Sequence, residues 1–184
     1  MRSAFRVVLF LSLLAVNQAF AQQTVVFSVD GWPRLSTRSD GKVVANSFIW
    51  GVSAPAPSTS SAGPSIPGKA SVQDSVLIFP IGDAAVLFAQ AVLRGQHLPV
   101  VLVEFASTSA KANPGGPAPF AARLSDVLVT SVSLSKSGSD GGPGVAEVKL
   151  NASRIELFVA DQDRTGAMRP GAKAGYDARS GKAY

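Results

Sequence analysis

The chain has 184 residues with no cysteine, a single histidine and a formal charge of +5. The lack of cysteine excludes disulfide staples and thiolate metal sites, and one imidazole excludes any centre that needs several histidines. The charge excess is too small to define a surface for nucleic acid, so no nucleic-acid partner is expected.

In chain order, residues 1–21 open with Arg2 and Arg6, continue through an apolar run over 7–16, and close on Ala19-Phe20-Ala21 before Gln22. A basic start, an apolar centre and a small-residue site are the three parts of a removable secretory signal, here cut after Ala21. The apolar run is about half the roughly twenty residues that a membrane span requires, so no stable membrane insertion is expected once it is removed. The predicted location is therefore periplasmic or secreted. Cleavage leaves residues 22–184 as one domain of 163 residues and lowers the formal charge from +5 to about +3, because Arg2 and Arg6 depart with the signal. A chain of that length buries a core without metal or disulfide support.

The mature region alternates short β-branched runs with clusters of Gly, Pro and Ser, the pattern of an all-β sandwich or barrel. Strands are predicted over 24–30, 43–52, 71–79, 98–106, 124–134 and 145–160. Within the last, Ile155, Leu157 and Val159 share one face and Glu156 lies on the other. One helix is predicted over 84–94, with Asp83 as its N-terminal cap and Gly95 as its stop. Val86, Leu87, Phe88, Val92 and Leu93 surround its axis with alanines between them, and only Gln90 and Arg94 form a polar stripe. A helix so apolar is expected to be covered on both sides, its outer face by another subunit. Two long loops rich in Pro, Gly, Ser and Ala are predicted at 53–70 and 107–120.

Candidate chemistry is sparse. His97 follows the helix stop, where an imidazole serves a structural role against the terminal carbonyls. The run from Asp161 to Gly166 begins like a calcium loop, but Thr165 stands at its fifth position and Ala172 where the bidentate glutamate belongs, so a turn is predicted. The glycine-rich run 139–144 lacks the lysine of a phosphate loop and is read as a hairpin connection. Toward the C-terminus Arg164, Arg169, Lys173, Arg179 and Lys182 face Asp177 alone, a basic end suited to solubility or to a neighbouring subunit. No catalytic, metal or cofactor site is predicted. A hydrolase built from the dispersed acids Glu104, Asp126 and Glu156 is the weakest reading. The residues leave open a self-assembling subunit and an exported monomeric β-barrel module that binds through its long loops.

A series of segments then resembles one known family. It begins with Val29-Asp30-Gly31 and runs through Ser47-Phe48-Ile49-Trp50-Gly51-Val52-Ser53, Gly68-Lys69-Ala70-Ser71-Val72-Gln73-Asp74 and Gly95-Gln96-His97. It continues with Leu124-Ser125-Asp126-Val127-Leu128-Val129, Val148-Lys149-Leu150-Asn151, Arg154-Ile155-Glu156 and Lys173-Ala174-Gly175-Tyr176-Asp177. In this order and spacing the chain resembles the type VI secretion tube proteins, the haemolysin-coregulated or Hcp family. The resemblance implies a β-barrel of two sheets with one flanking helix, hexameric rings that stack into a secreted tube, and a non-catalytic structural role that includes carrying effector proteins. Carried over by position, it implies a subunit interface at Trp50, Gln73, Asp74, Ala89, Gln90, Arg94 and His97. It likewise implies ring-stacking contacts at Ser58, Ser61, Gly63, Ile66 and Lys69 in the 53–70 loop.

Overall fold

A computed structural model describes residues 23–32, 40–53, 71–107, 118–136, 141–165 and 167–184. The predicted signal at 1–21, nearly all of the two long loops, and Ser58, Ser61, Gly63, Ile66 and Lys69 lie outside the described residues. The elements in order are β1 (Gln23–Val29), β2 (Val43–Ala45), β3 (Ser47–Ile49), β4 (Val52–Ser53), β5 (Ser71–Val72), β6 (Ser75–Pro80), α1 (Asp83–Arg94), β7 (His97–Ser107), β8 (Phe120–Ser135), β9 (Val145–Gln162), β10 (Met168–Asp177) and β11 (Lys182–Ala183). The predicted class holds: the chain is mainly β, with one helix among the described residues.

Antiparallel pairing runs from β1 to β7, β8 and β9, and on from β9 to β6 and β3. One short segment bends to join the two parts of the sheet. β2 pairs β1, Asn46 then donates its N–H to the Ile78 carbonyl at 2.7 Å, and β3 continues along β6. The single strand predicted over 43–52 is thus divided, since a bent segment joins the two sheets where a straight one would stay in one.

The long hairpin of β8 and β9 supplies the wall shared by both sheets. Along β9, residues 145–150 pair β6 on one side, whereas residues 154–162 pair β10 on that same side. A strand serving two sheets must change which face points inward, and the burial pattern marks where this happens. Leu124 and Ile155 are paired and buried, as are Val127 and Ala152, a spacing of three instead of two along each strand. Between them Asp126 takes φ 50, the left-handed region that aspartate tolerates better than most side chains. A register shift between Val129 and Ser131 adds a bulge at Thr130, which sharpens the bend.

The core is apolar and aromatic. Phe27, Phe79 and Phe88 are fully buried, with ring centroids 5.0–6.0 Å apart, and Trp32 meets Phe88 edge-on at 4.7 Å. Phe88 comes from the helix, whose other buried residues are only Ala84, Ala85 and Ala91. The small alanines let the helix backbone approach the barrel while one large side chain enters it.

Two local expectations are corrected. The helix cap is Gly82, which makes no side-chain bond, and Asp83 is the first helical residue. From there its carboxylate still complements the positive helix terminus. Gly95 ends the helix as predicted, at φ 58. The basic C-terminal end, where no strand is predicted, is part of the sheet: β10 pairs β9 and turns back into β11. Its residues are mostly exposed and include Pro170, Gly171 and Gly175, so apolar alternation had no reason to reveal it. The turn predicted after the last long strand is present, with the Asp163 carboxylate accepting from the Thr165 N–H at 2.8 Å and the Ala167 N–H at 3.0 Å.

Candidate assembly surface

The helix divides its residues by spacing. Ala84, Ala85, Phe88 and Ala91 turn to the barrel, and Val86, Gln90 and Leu93, at intervals of four and three, share the opposite face. Val86 is 56% exposed and Leu93 is 85% exposed, with Ile81 40% exposed just before the helix. Ala89 is half-buried beside this face, and Gln90 and Arg94 are exposed. A leucine at the centre of an exposed turn adds apolar area that water penalises at about 25 cal/mol per Å². Two branched aliphatic side chains flanked by a glutamine and an arginine form a surface suited to protein contact.

The other residues assigned to an interface by resemblance have different surroundings. Trp50 is half-buried against the core, and its indole Nε1 has no hydrogen-bond partner among the described residues. The same holds for the hydroxyl of fully buried Ser75. Gln73 is exposed, with its N–H donating to the Gly51 carbonyl at 3.0 Å. Asp74 is occupied within the chain: its carboxylate accepts from Asn151 Nδ2 at 2.7 Å and from the Thr130 hydroxyl at 2.9 Å. It thereby ties the start of β6 to the bulge of β8 and to β9.

His97 does not serve the helix end as expected. The last-turn carbonyls of Ala91 and Val92 are taken by the N–H groups of Gln96 and Gly95 at 2.9 and 3.1 Å, which releases the imidazole for another partner. Its Nδ1 lies 2.9 Å from Oδ1 of Asp126, which the sequence offered only as one of three dispersed acids and not as a partner of His97. Oδ2 of Asp126 accepts from the Ser153 hydroxyl at 2.7 Å and also from Arg179 Nη2. The Ser153 hydroxyl and, after it, His97 and Arg179 hold the Asp126 carboxyl below the usual carboxylate range.

Serine, histidine and aspartate meet here in an order that does not activate a nucleophile. Acyl-transfer chemistry requires the imidazole between the acid and the hydroxyl, to take the hydroxyl proton. Here the carboxylate is in the middle, and the Ser153 hydroxyl donates to it. The arrangement is one acceptor gathering donors from β7, β9 and the β10–β11 turn. Close by, Arg154 Nη2 contacts Asp177 at 3.2 Å, and Asp177 Oδ1 accepts from the N–H groups of Arg179 and Ser180 at 2.9 and 3.0 Å. Further along the same sheet, Lys173 meets Glu156 at 2.8 Å, with its ammonium 5.2 Å from the Phe158 ring centroid. That lysine lowers the Glu156 carboxyl below its ordinary range, mainly by hydrogen bonding.

A curved antiparallel sheet with, among the described residues, one flanking helix whose outer face is apolar, and polar groups committed to internal structure, defines a class: a mainly β barrel-like domain equipped for contact with other proteins. A family model described as "Type VI secretion system effector, Hcp" matches residues 33–158, well over half of the chain. The chain belongs to the Hcp family of type VI secretion, and its role is that family's structural, tube-forming one. Solved structures carry the same fold. A protein described as a type six secretion system protein superposes with TM-score 0.75 at 18% identity, covering 89% of this chain and 100% of that one. Hcp1 from Salmonella typhimurium gives 0.65 at 18% identity over 88% and 99% of the two chains. A type VI secretion system effector from Yersinia pestis gives 0.61 at 17% identity over 83% and 98%. No curated protein matches the sequence. Among the described residues, no helix is long and apolar enough to cross a membrane.

Proposed function

We propose that this chain closes into homo-oligomeric rings, hexamers by family precedent, in which the outer face of α1 is covered by the neighbouring subunit. The observation that carries the reading is the exposure of Leu93 and Val86 on a helix whose other face is already seated in the barrel. Head-to-tail ring closure repeats one contact around the axis, so a single substitution acts at every interface. The contacts flanking the helix fall to Ala89, Gln90, Arg94 and His97, with Trp50, Gln73 and Asp74 at the strand edges, and contacts between rings fall to loop 53–70. In this reading the subunit is structural, effector proteins are its cargo, and no cofactor takes part. The basic and apolar pattern of residues 1–21 directs export, with the mature N-terminus at Gln22.

The test is Leu93→Glu. Because the side chain is 85% exposed in the subunit, the monomer keeps its stability to within about 0.5 kcal/mol. Each ring contact would instead enclose an unpaired carboxylate, and native mass spectrometry should find the variant monomeric where the unsubstituted protein is a ring. An intact ring in the variant would remove the helix from the interface. Sequencing the N-terminus of protein recovered from cell fractions tests export: an N-terminus at Met1 in all of it would contradict the cleavage.

A further inference from the structure

The β10–β11 hairpin is attached differently from the rest of the sheet. No residue from Met168 to Tyr184 belongs to the buried core, and the strand pairing of β10 is with β9 and β11. Its ladder with β9 is interrupted between Pro170 and Lys173, leaving two shorter stretches. Its side chains are mostly exposed, and it is fixed largely by polar groups. At the turn end, Asp163 holds Arg169 at 2.9 Å. At the remote end, the segment after Asp177 is secured by the Ala178 N–H to the Ser153 carbonyl at 2.9 Å, by Arg154 to Asp177, and by Arg179 to Asp126.

These facts have a physical consequence. A segment with little buried apolar area and exposed ladder bonds opens at a free energy far below that of global unfolding. Exposed ion pairs are individually weak and screened by salt. Asp126 differs from the others because three donors from separate elements converge on one carboxylate: His97 from β7, Ser153 from β9 and Arg179 from the hairpin turn. The kinked backbone that places it there belongs to the barrel.

We propose that the hairpin is a gate in the sheet, opening as a unit while the strands behind it stay paired, and that Asp126 is its latch. When the hairpin lifts, the stretch of β9 from Arg154 to Gln162 loses its β10 partner and its ladder bonds on that side exchange with solvent. The gate does not depend on ring formation, because every group that forms it lies within one chain.

Hydrogen exchange followed by mass spectrometry on the full chain tests this. Peptides covering 168–184 report the hairpin, and those covering 145–150, where β9 pairs β6, serve as the internal reference. Asp126→Asn is the first variant, since asparagine also tolerates a left-handed backbone. Arg179→Gln is the second, and it leaves the kink untouched. Each should speed hairpin exchange by about two- to fivefold, the range of an exposed ion pair, without changing the reference. Combining them should add little, because both remove the same contact. Raising salt to about 1 M, where the screening length is ~3 Å, should speed the unsubstituted hairpin in the same direction. Hairpin exchange unchanged in both variants, or a reference strand that quickens by the same factor, would overturn the proposal.

Discussion

Replacing Phe88 by alanine tests how the helix is held. Phe88 is fully buried, between 4.7 and 6.0 Å from the rings of Trp32, Phe79 and Phe27. Truncating a buried phenylalanine costs about 3–5 kcal/mol through lost transfer energy and the cavity left behind. The middle of that range applies here, because the fully buried neighbours on α1 are alanines and half-buried Val92, one turn further along, is too small to replace a phenyl ring. Since the outer face of the same helix is the proposed ring contact, the variant should also assemble poorly while its strands remain formed. Urea unfolding followed by tryptophan fluorescence measures the stability, with Trp32 reporting the contact directly. A loss under about 1.5 kcal/mol with ring formation intact would refute the claim that this ring anchors the helix.

Further outcomes follow from other contacts. A Cβ at Gly144 would lie 2.7 Å from both Ile81 Cδ1 and the Ser135 carbonyl oxygen; the side chain can yield and the backbone cannot, so Gly144→Ala should cost about 1–3 kcal/mol in urea unfolding. Asp74→Ala deprives Thr130 and Asn151 of their shared acceptor and should cost about 1 kcal/mol by the same assay, with hydrogen exchange quickening around the Thr130 bulge. The carboxyls of Asp126, Glu156, Asp163 and Asp177 are all held below their ordinary range, chiefly by hydrogen bonds. Their contribution is therefore fully present above the ordinary carboxylate range and is lost as pH falls through the lowered values. Hairpin protection measured against pH should stay level from neutral to about pH 5 and decline below it; a decline that begins at neutral pH would contradict the assignment to carboxylates.

Much of the fold was legible because burial leaves a periodic trace. The strands around Phe27, Leu77, Val101 and Val148 put apolar residues on one face of a curved wall, and the helix was bounded by Gly95 and by its dense apolar content. What escaped notice has physical reasons. The bend at Asn46 is made by pairing partners distant in sequence, since only the positions of β1 and β6 require one strand to turn there. β10 makes a ladder with little apolar burial, so its proline, glycines and lysine carry no strand signal. Asp126 was a lone acid in an apolar strand. Its importance arises from His97, Ser153 and Arg179, which are 29, 27 and 53 residues away along the chain. The two faces of the helix were separable only with coordinates: Leu93 and Val86 lie outward and Phe88 inward, although all three are apolar in the sequence.

Particle imaging of the purified mature protein over a wide concentration range tests the central claim most directly. Closed rings of uniform subunit number, built with α1 at each contact, are the predicted result. A protein that remains strictly monomeric at every concentration would contradict the account.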